Sequence, residues 1–157
     1  MIIRTAKIKD LPAVLKLDLM LKKDQNRYNK KYFALAGEKS LVKETKKFLK
    51  GKLNSKKSRI FIAEANGKII GICMAELEKR PPIFKYRNNG FIESVYVLPV
   101  FRGKGIGTLL LKSAIKWLKK NKMSFITLAV HEQNIPAINA YKKSGFVNFF
   151  NKMLKVL

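Results

Sequence analysis

The chain has little cysteine, histidine or acid: its 157 residues include one cysteine, one histidine and 10 carboxylates, against 34 lysines and arginines. A single cysteine excludes a disulfide framework, and one histidine beside one cysteine cannot build a metal centre. Cys73 falls in the apolar stretch from Ile69 to Leu77. It reads as a buried, inert thiol, because nucleophilic catalysis needs an exposed thiolate and an activating base. His131 reads as a loop residue. No stretch approaches 18 consecutive apolar residues, and the start Met1-Ile2-Ile3-Arg4 lacks a signal peptide's apolar run. These absences point to the cytoplasm and away from membranes. Nothing marks a repeat, a linker or a second domain, and a chain that is 47% hydrophobic at this length suits one domain over residues 1–157.

What the chain has in excess is lysine. The formal net charge is +24, which raises the prospect of a nucleic-acid or ribosome partner held by counterion release. Only Arg4, Arg27, Arg59, Arg80, Arg87 and Arg102 are arginines, whereas base-edge readout favours arginine's planar fork. Lys43, Lys46, Lys47 and Lys50, like Lys112, Lys116, Lys119 and Lys120, fall where solvated helix faces are expected. Nucleic acid is therefore expected to bind weakly and without sequence preference, if at all.

Hydrophobic periodicity places a strand at 2–8, a helix over about 10–21 capped by Asp10, a basic and aromatic loop or short helix over 22–37, and a helix over 38–50. Two alternating strands flank Asn66-Gly67, a strong hairpin signal. Arg80-Pro81-Pro82 interrupts the pattern, which resumes as a fourth strand at 90–98. A broad apolar face spans the helix at 105–120, a fifth strand follows at 124–130, a helix at 134–144, and one or two closing strands at 146–156.

The fourth strand runs into Val97-Leu98-Pro99-Val100-Phe101-Arg102-Gly103-Lys104-Gly105-Ile106-Gly107-Thr108. Alternating glycines let a ligand approach the backbone, and the helix that follows adds the positive end of its dipole, a setting suited to pyrophosphate. The spacing is neither that of a P-loop nor that of a dinucleotide fingerprint. Further on, Asn134-Ile135-Pro136-Ala137-Ile138-Asn139-Ala140-Tyr141 places Asn134 as a cap, Pro136 in the first turn, and Tyr141 two helical turns later on the same side.

These segments resemble the GNAT superfamily of N-acetyltransferases: its V-x-P-x-x-R-G-x-G-x-G loop, its N-x-x-A-x-x-x-Y-x-x-x-G-F motif ending at Phe146, and its I-R-x-A-x-x-x-D opening from Ile3 to Asp10. The likeness spans nearly the whole chain, excepting about 22–58. It implies a mixed α/β (α+β), three-layer fold with a central, mostly antiparallel sheet of 6–7 strands, splayed between the fourth and fifth, and about four helices. It implies acetyl-CoA as cosubstrate without a metal, and a primary amine as acceptor, attacking directly in a ternary complex. Backbone groups of Val95, Tyr96 and Val97 would pair with the pantetheine arm, with the Val97 N–H as oxyanion donor. Gly103, Lys104, Gly105, Ile106, Gly107 and Thr108 would hold the pyrophosphate, with charge from Arg102 or Lys104, and Asn134 would belong to the cofactor site. Tyr141 would protonate the leaving sulfur and Glu93 would act as general base, with Glu76 and Glu78 as alternatives. The acidic fifth-strand residue of the branch that acetylates protein N-termini is replaced by Ala129. The acceptor, a small amine, an amino-acid-like metabolite or a protein amine, would meet the 22–37 segment and the Lys79–Asn89 connection. A homodimer is compatible with this reading, and the alternative is a catalytically silent acetyl-CoA-binding module or a basic nucleic-acid-binding protein.

Overall fold

The computed structural model describes residues 1–157. Five strands, β1 (Ile2–Thr5), β2 (Ser58–Ala65), β3 (Lys68–Lys79), β4 (Asn88–Val97) and β5 (Phe125–Leu128), form one sheet in sequence order. The first three pairings are antiparallel and β4 runs parallel to β5. Four α-helices cover the two faces: α1 (Leu11–Gln25) and α2 (Glu38–Asn54) on one, α3 (Ile106–Lys120) and α4 (Ile135–Lys143) on the other. The layered fold agrees with the sequence expectation.

The alternation along β2 and β3 makes this arrangement. Ile60, Ile62, Ile72 and Met74 face α1 and α2, joining Val14, Leu17 and Leu49. Phe61, Ala63, Cys73 and Ala75 face α3, which buries Ile106, Leu110, Leu111, Ala114 and Leu118 against them. Each large side chain sealed here stabilises the fold by about 1.5–3 kcal/mol. At the β2–β3 turn, Asn66 and Gly67 both take positive φ, 49° and 71°, as the twist of a two-residue hairpin requires.

Three expectations change. The sheet has five strands rather than 6–7, because residues 146–157 form none: their apolar pattern reads as strand, but no strand edge pairs with them, and Val147, Phe149, Phe150 and Met153 stand in solvent. Helix α1 extends through the basic run to Gln25. Asp10 does not cap it; its carboxylate receives two bonds from the Arg4 guanidinium, at 2.8 and 2.9 Å, and one from the Lys7 N–H at 2.7 Å. Hydrogen bonding from Arg4 chiefly holds the Asp10 pKa down, to about 2.

Candidate active site

The site begins where two parallel strands part. β4 pairs with β5 only from Asn89 to Ile92, matched with Phe125 to Leu128, so the stretch from Glu93 to Val97 has no neighbour on that side. The Leu98 N–H donates to Ile70 O at 2.9 Å, which makes Ile70–Leu98 a hydrogen-bonded pair of the β3–β4 ladder. Bonded pairs alternate along an antiparallel ladder, so Ser94 and Tyr96 direct their backbone groups to β3 and Val95 and Val97 direct theirs into the gap. The Tyr96 backbone is committed to β3 and its ring is buried against α1.

The glycine loop continues from the open edge. Gly103 and Gly105 hold φ of 76° and 75°, a left-handed conformation costly for other residues, and a Cβ at either would meet nothing within 4 Å. A Cβ at Gly107 would lie 3.9 Å from both Val95 and Val97 side chains, so the loop borders the gap. The first amide of α3 to find a carbonyl is Leu109, bonded to Gly105 at 3.1 Å. The N–H groups of Gly103, Lys104 and Gly105 donate to no backbone carbonyl, and those of Ile106, Gly107 and Thr108 precede the first intrahelical bond. Six successive open amides at a helix N-terminus, with unfilled space over the glycines, fit a pyrophosphate. Lys104 is exposed beside them. Arg102 turns away: its Nε donates to Val97 O at 2.9 Å and its guanidinium pairs with Asp24 of α1 at 3.0 Å.

Glu93 and Tyr141 lie on opposite faces of β4. Glu93 lies two residues after Phe91, the partner of Glu76, and so shares the α2 face, where its carboxylate meets Lys52 Nζ at 2.9 Å; a β-bulge leaves Glu93 unpaired and sets Ser94 opposite Met74. The same ammonium lies 2.5 Å from Glu76, so two of the three candidate bases share one partner. The third, Glu78, accepts a bond from Asn89 at 3.1 Å. Tyr141 packs on the α3 face with Phe146, ring centroids 6.1 Å apart, and burial pushes its hydroxyl up to about 12. Burial alone likewise pushes the Cys73 thiol up to about 12, consistent with an inert role. Asn134 occupies the N-cap position of α4 without capping through its side chain; the bond made there is from its N–H to His131 O at 2.8 Å.

Sequence reasoning missed three features. Lys52 is the first, and it carries no local signal within a lysine-rich helix. The second is a stack of His131 on Tyr28, centroids 4.2 Å apart and 9° from parallel, which ties the segment after α1 to the β5–α4 loop. The third is a pair of buried hydroxyls, Ser94 Oγ and Tyr96 Oη, without a hydrogen-bond partner. The Lys79–Asn89 connection enters β4 at its paired end, with Tyr86 edge-on to Phe125. The gap opens towards the other end of this ten-residue strand, which spans roughly 30 Å.

A family model described as Acetyltransferase (GNAT) family matches residues 23–146. An N-alpha-acetyltransferase of Sulfurisphaera tokodaii is 29% identical over 163 residues, covering 99% of this chain and 82% of the relative. A crystal structure of a mutant BH1408 protein from Bacillus halodurans superposes with a TM-score of 0.88 at 24% identity, covering 100% of this chain and 99% of that one. A predicted acetyltransferase from Clostridium acetobutylicum, solved with acetyl-CoA, superposes with a TM-score of 0.79 at 24% identity, covering 99% and 95%.

Proposed function

The chain belongs to the GNAT acetyltransferase family and is an acetyl-CoA-dependent acyltransferase, and from that premise we propose that it acetylates a primary amine, with Glu93 taking the amine's proton and Tyr141 protonating the departing sulfur. The observation that carries this reading is the frame around β4: open amides on one edge, a carboxylate on one face and a half-buried phenol on the other.

Acetyl-CoA supplies a thioester acyl group to this frame. The amides of Gly103 to Thr108 hold its pyrophosphate, and the outward backbone groups of Val95 and Val97 pair with its arm as a strand would. The Val97 N–H faces the gap and serves as donor to the developing oxyanion in this reading, an interaction whose loss typically costs about 10²–10³-fold in turnover. Glu93 receives a proton from the acceptor on the α2 side. Tyr141 holds one at Oη on the α3 side, so proton removal and proton delivery are separated by the strand. Arg102 braces Val97 rather than the phosphates, leaving Lys104 as the loop's exposed charge.

An acceptor screen tests the proposal: acetyl-CoA with small amines, amino acids and peptides, followed by detection of the free thiol. Thiol release with at least one amine class, lost in Glu93→Gln, is expected. Thiol release that Glu93→Gln leaves untouched removes Glu93 as base, and none with any amine removes the amine acceptor.

A further inference from the structure

Helix α2 carries six lysines, and five of them, Lys39, Lys43, Lys46, Lys47 and Lys50, are exposed. Lys52 alone turns inward, its side chain 14% exposed. Its Nζ bridges Glu76 of β3 at 2.5 Å and Glu93 of β4 at 2.9 Å, under the Phe48 ring, whose centroid is 5.0 Å away. Its backbone carbonyl accepts the Ser58 hydroxyl at 2.7 Å, fixing the end of α2 to β2. Burial disfavours the ammonium, yet the hydrogen bonds to Glu76 and Glu93 outweigh it and raise its pKa above the ordinary lysine value. The other charged groups along this groove of about 500 Å³ are Glu44 and Lys47, both from α2.

Strand alternation explains why this ammonium is needed. Glu76 lies opposite Phe91, and Glu93, two residues further along β4, shares that face, so two carboxylates meet beneath one helix. Like charges that close disfavour joint ionisation, and an intervening cation reverses the effect. We infer that Lys52 is a positioning residue for acetyl transfer: it holds the Glu93 carboxylate in place against repulsion from Glu76. This inference rests on the reading of Glu93 as the base. The Lys52 ammonium is held by Glu76 and Glu93, so its effect on transfer runs through Glu93.

The test is a double-mutant cycle in kcat, run with an amine that supports thiol release. Lys52→Met lowers kcat by about 10-fold or more while KM for acetyl-CoA stays put, Lys52→Arg restores it, and Lys52→Met adds nothing to the residual rate once Glu93 is Gln. Lys52→Gln gives the same readings if Lys52→Met does not fold. Full kcat in these Lys52 variants, or a loss that persists undiminished in the Glu93→Gln background, overturns the inference. A loss in Lys52→Met beside full turnover in Glu93→Gln instead overturns the assignment of the base.

Discussion

Single residues divide into those whose type announces a role and those whose role exists only in three dimensions. Tyr141 belongs to the first group. Its hydroxyl, pushed up to about 12 by burial, keeps its proton throughout the neutral range, as a donor to a departing thiolate must. Tyr141→Phe retains the ring and its packing on Phe146, so kcat is expected to fall by about 10²- to 10⁴-fold while acetyl-CoA still raises the melting temperature. Because a raised pKa extends the protonated window upward, any alkaline fall in wild-type kcat below about pH 11 must come from another group, and it should persist in Tyr141→Phe. Steady-state rates across pH 6–10 check both points. Near-wild-type turnover in Tyr141→Phe would leave Tyr141 as a core aromatic. Lys52 and His131 belong to the second group: one is a lysine among lysines, and the other is defined by a stack on Tyr28 more than 100 residues away in sequence.

Elements were legible where local chemistry alone determines them. The Asn66-Gly67 hairpin, the apolar face of α3 and the glycine loop follow from backbone preference and periodicity. The loop supports a direct prediction. Gly105→Glu places a strained, anionic side chain over the open amides, so the thermal stabilisation by acetyl-CoA should vanish while the free protein still folds cooperatively; melting curves with and without ligand measure this. An undiminished shift would locate the ligand elsewhere. Elements were illegible where a partner decides. Residues 146–157 have strand-like composition but no edge to pair with, and the Glu93 bulge follows from β3–β4 register, which no window of β4 encodes. Asp10 looks like a helix cap until Arg4 and the Lys7 amide claim its carboxylate.

For the whole molecule the governing fact is charge. Only Arg4, Lys22, Lys52 and Arg102 reach a carboxylate closely enough to form an ion pair. Arg27, Lys31, Arg80, Arg87 and Lys152 donate to uncharged or main-chain oxygens, and most of the remaining basic side chains face solvent and counterions, so their attraction for a polyanion is generic and screened by salt. Duplex DNA is expected to bind at low ionic strength, to show no sequence preference, and to dissociate near 0.15 M salt, as fluorescence anisotropy across a salt series would show. Sequence-selective binding that survives that salt would establish a nucleic-acid role that the acetyltransferase frame does not explain. The same field favours the approach of any anionic ligand to the glycine loop, an effect on association rate that also fades with salt.

The row of open amides at the start of α3 has a consequence that can be read with a clock. A peptide N–H without an acceptor trades its proton with solvent far faster than one inside a ladder or a helix. In deuterated water, the amides from Gly103 to Thr108 should therefore label within the shortest measurable time, well ahead of Leu110 and Leu111 one turn further into the same helix. An anion seated in the cradle would slow those six and leave the helix interior unchanged, turning a gap in the hydrogen-bond inventory into a residue-by-residue occupancy meter. Such a meter runs before any acceptor has been found.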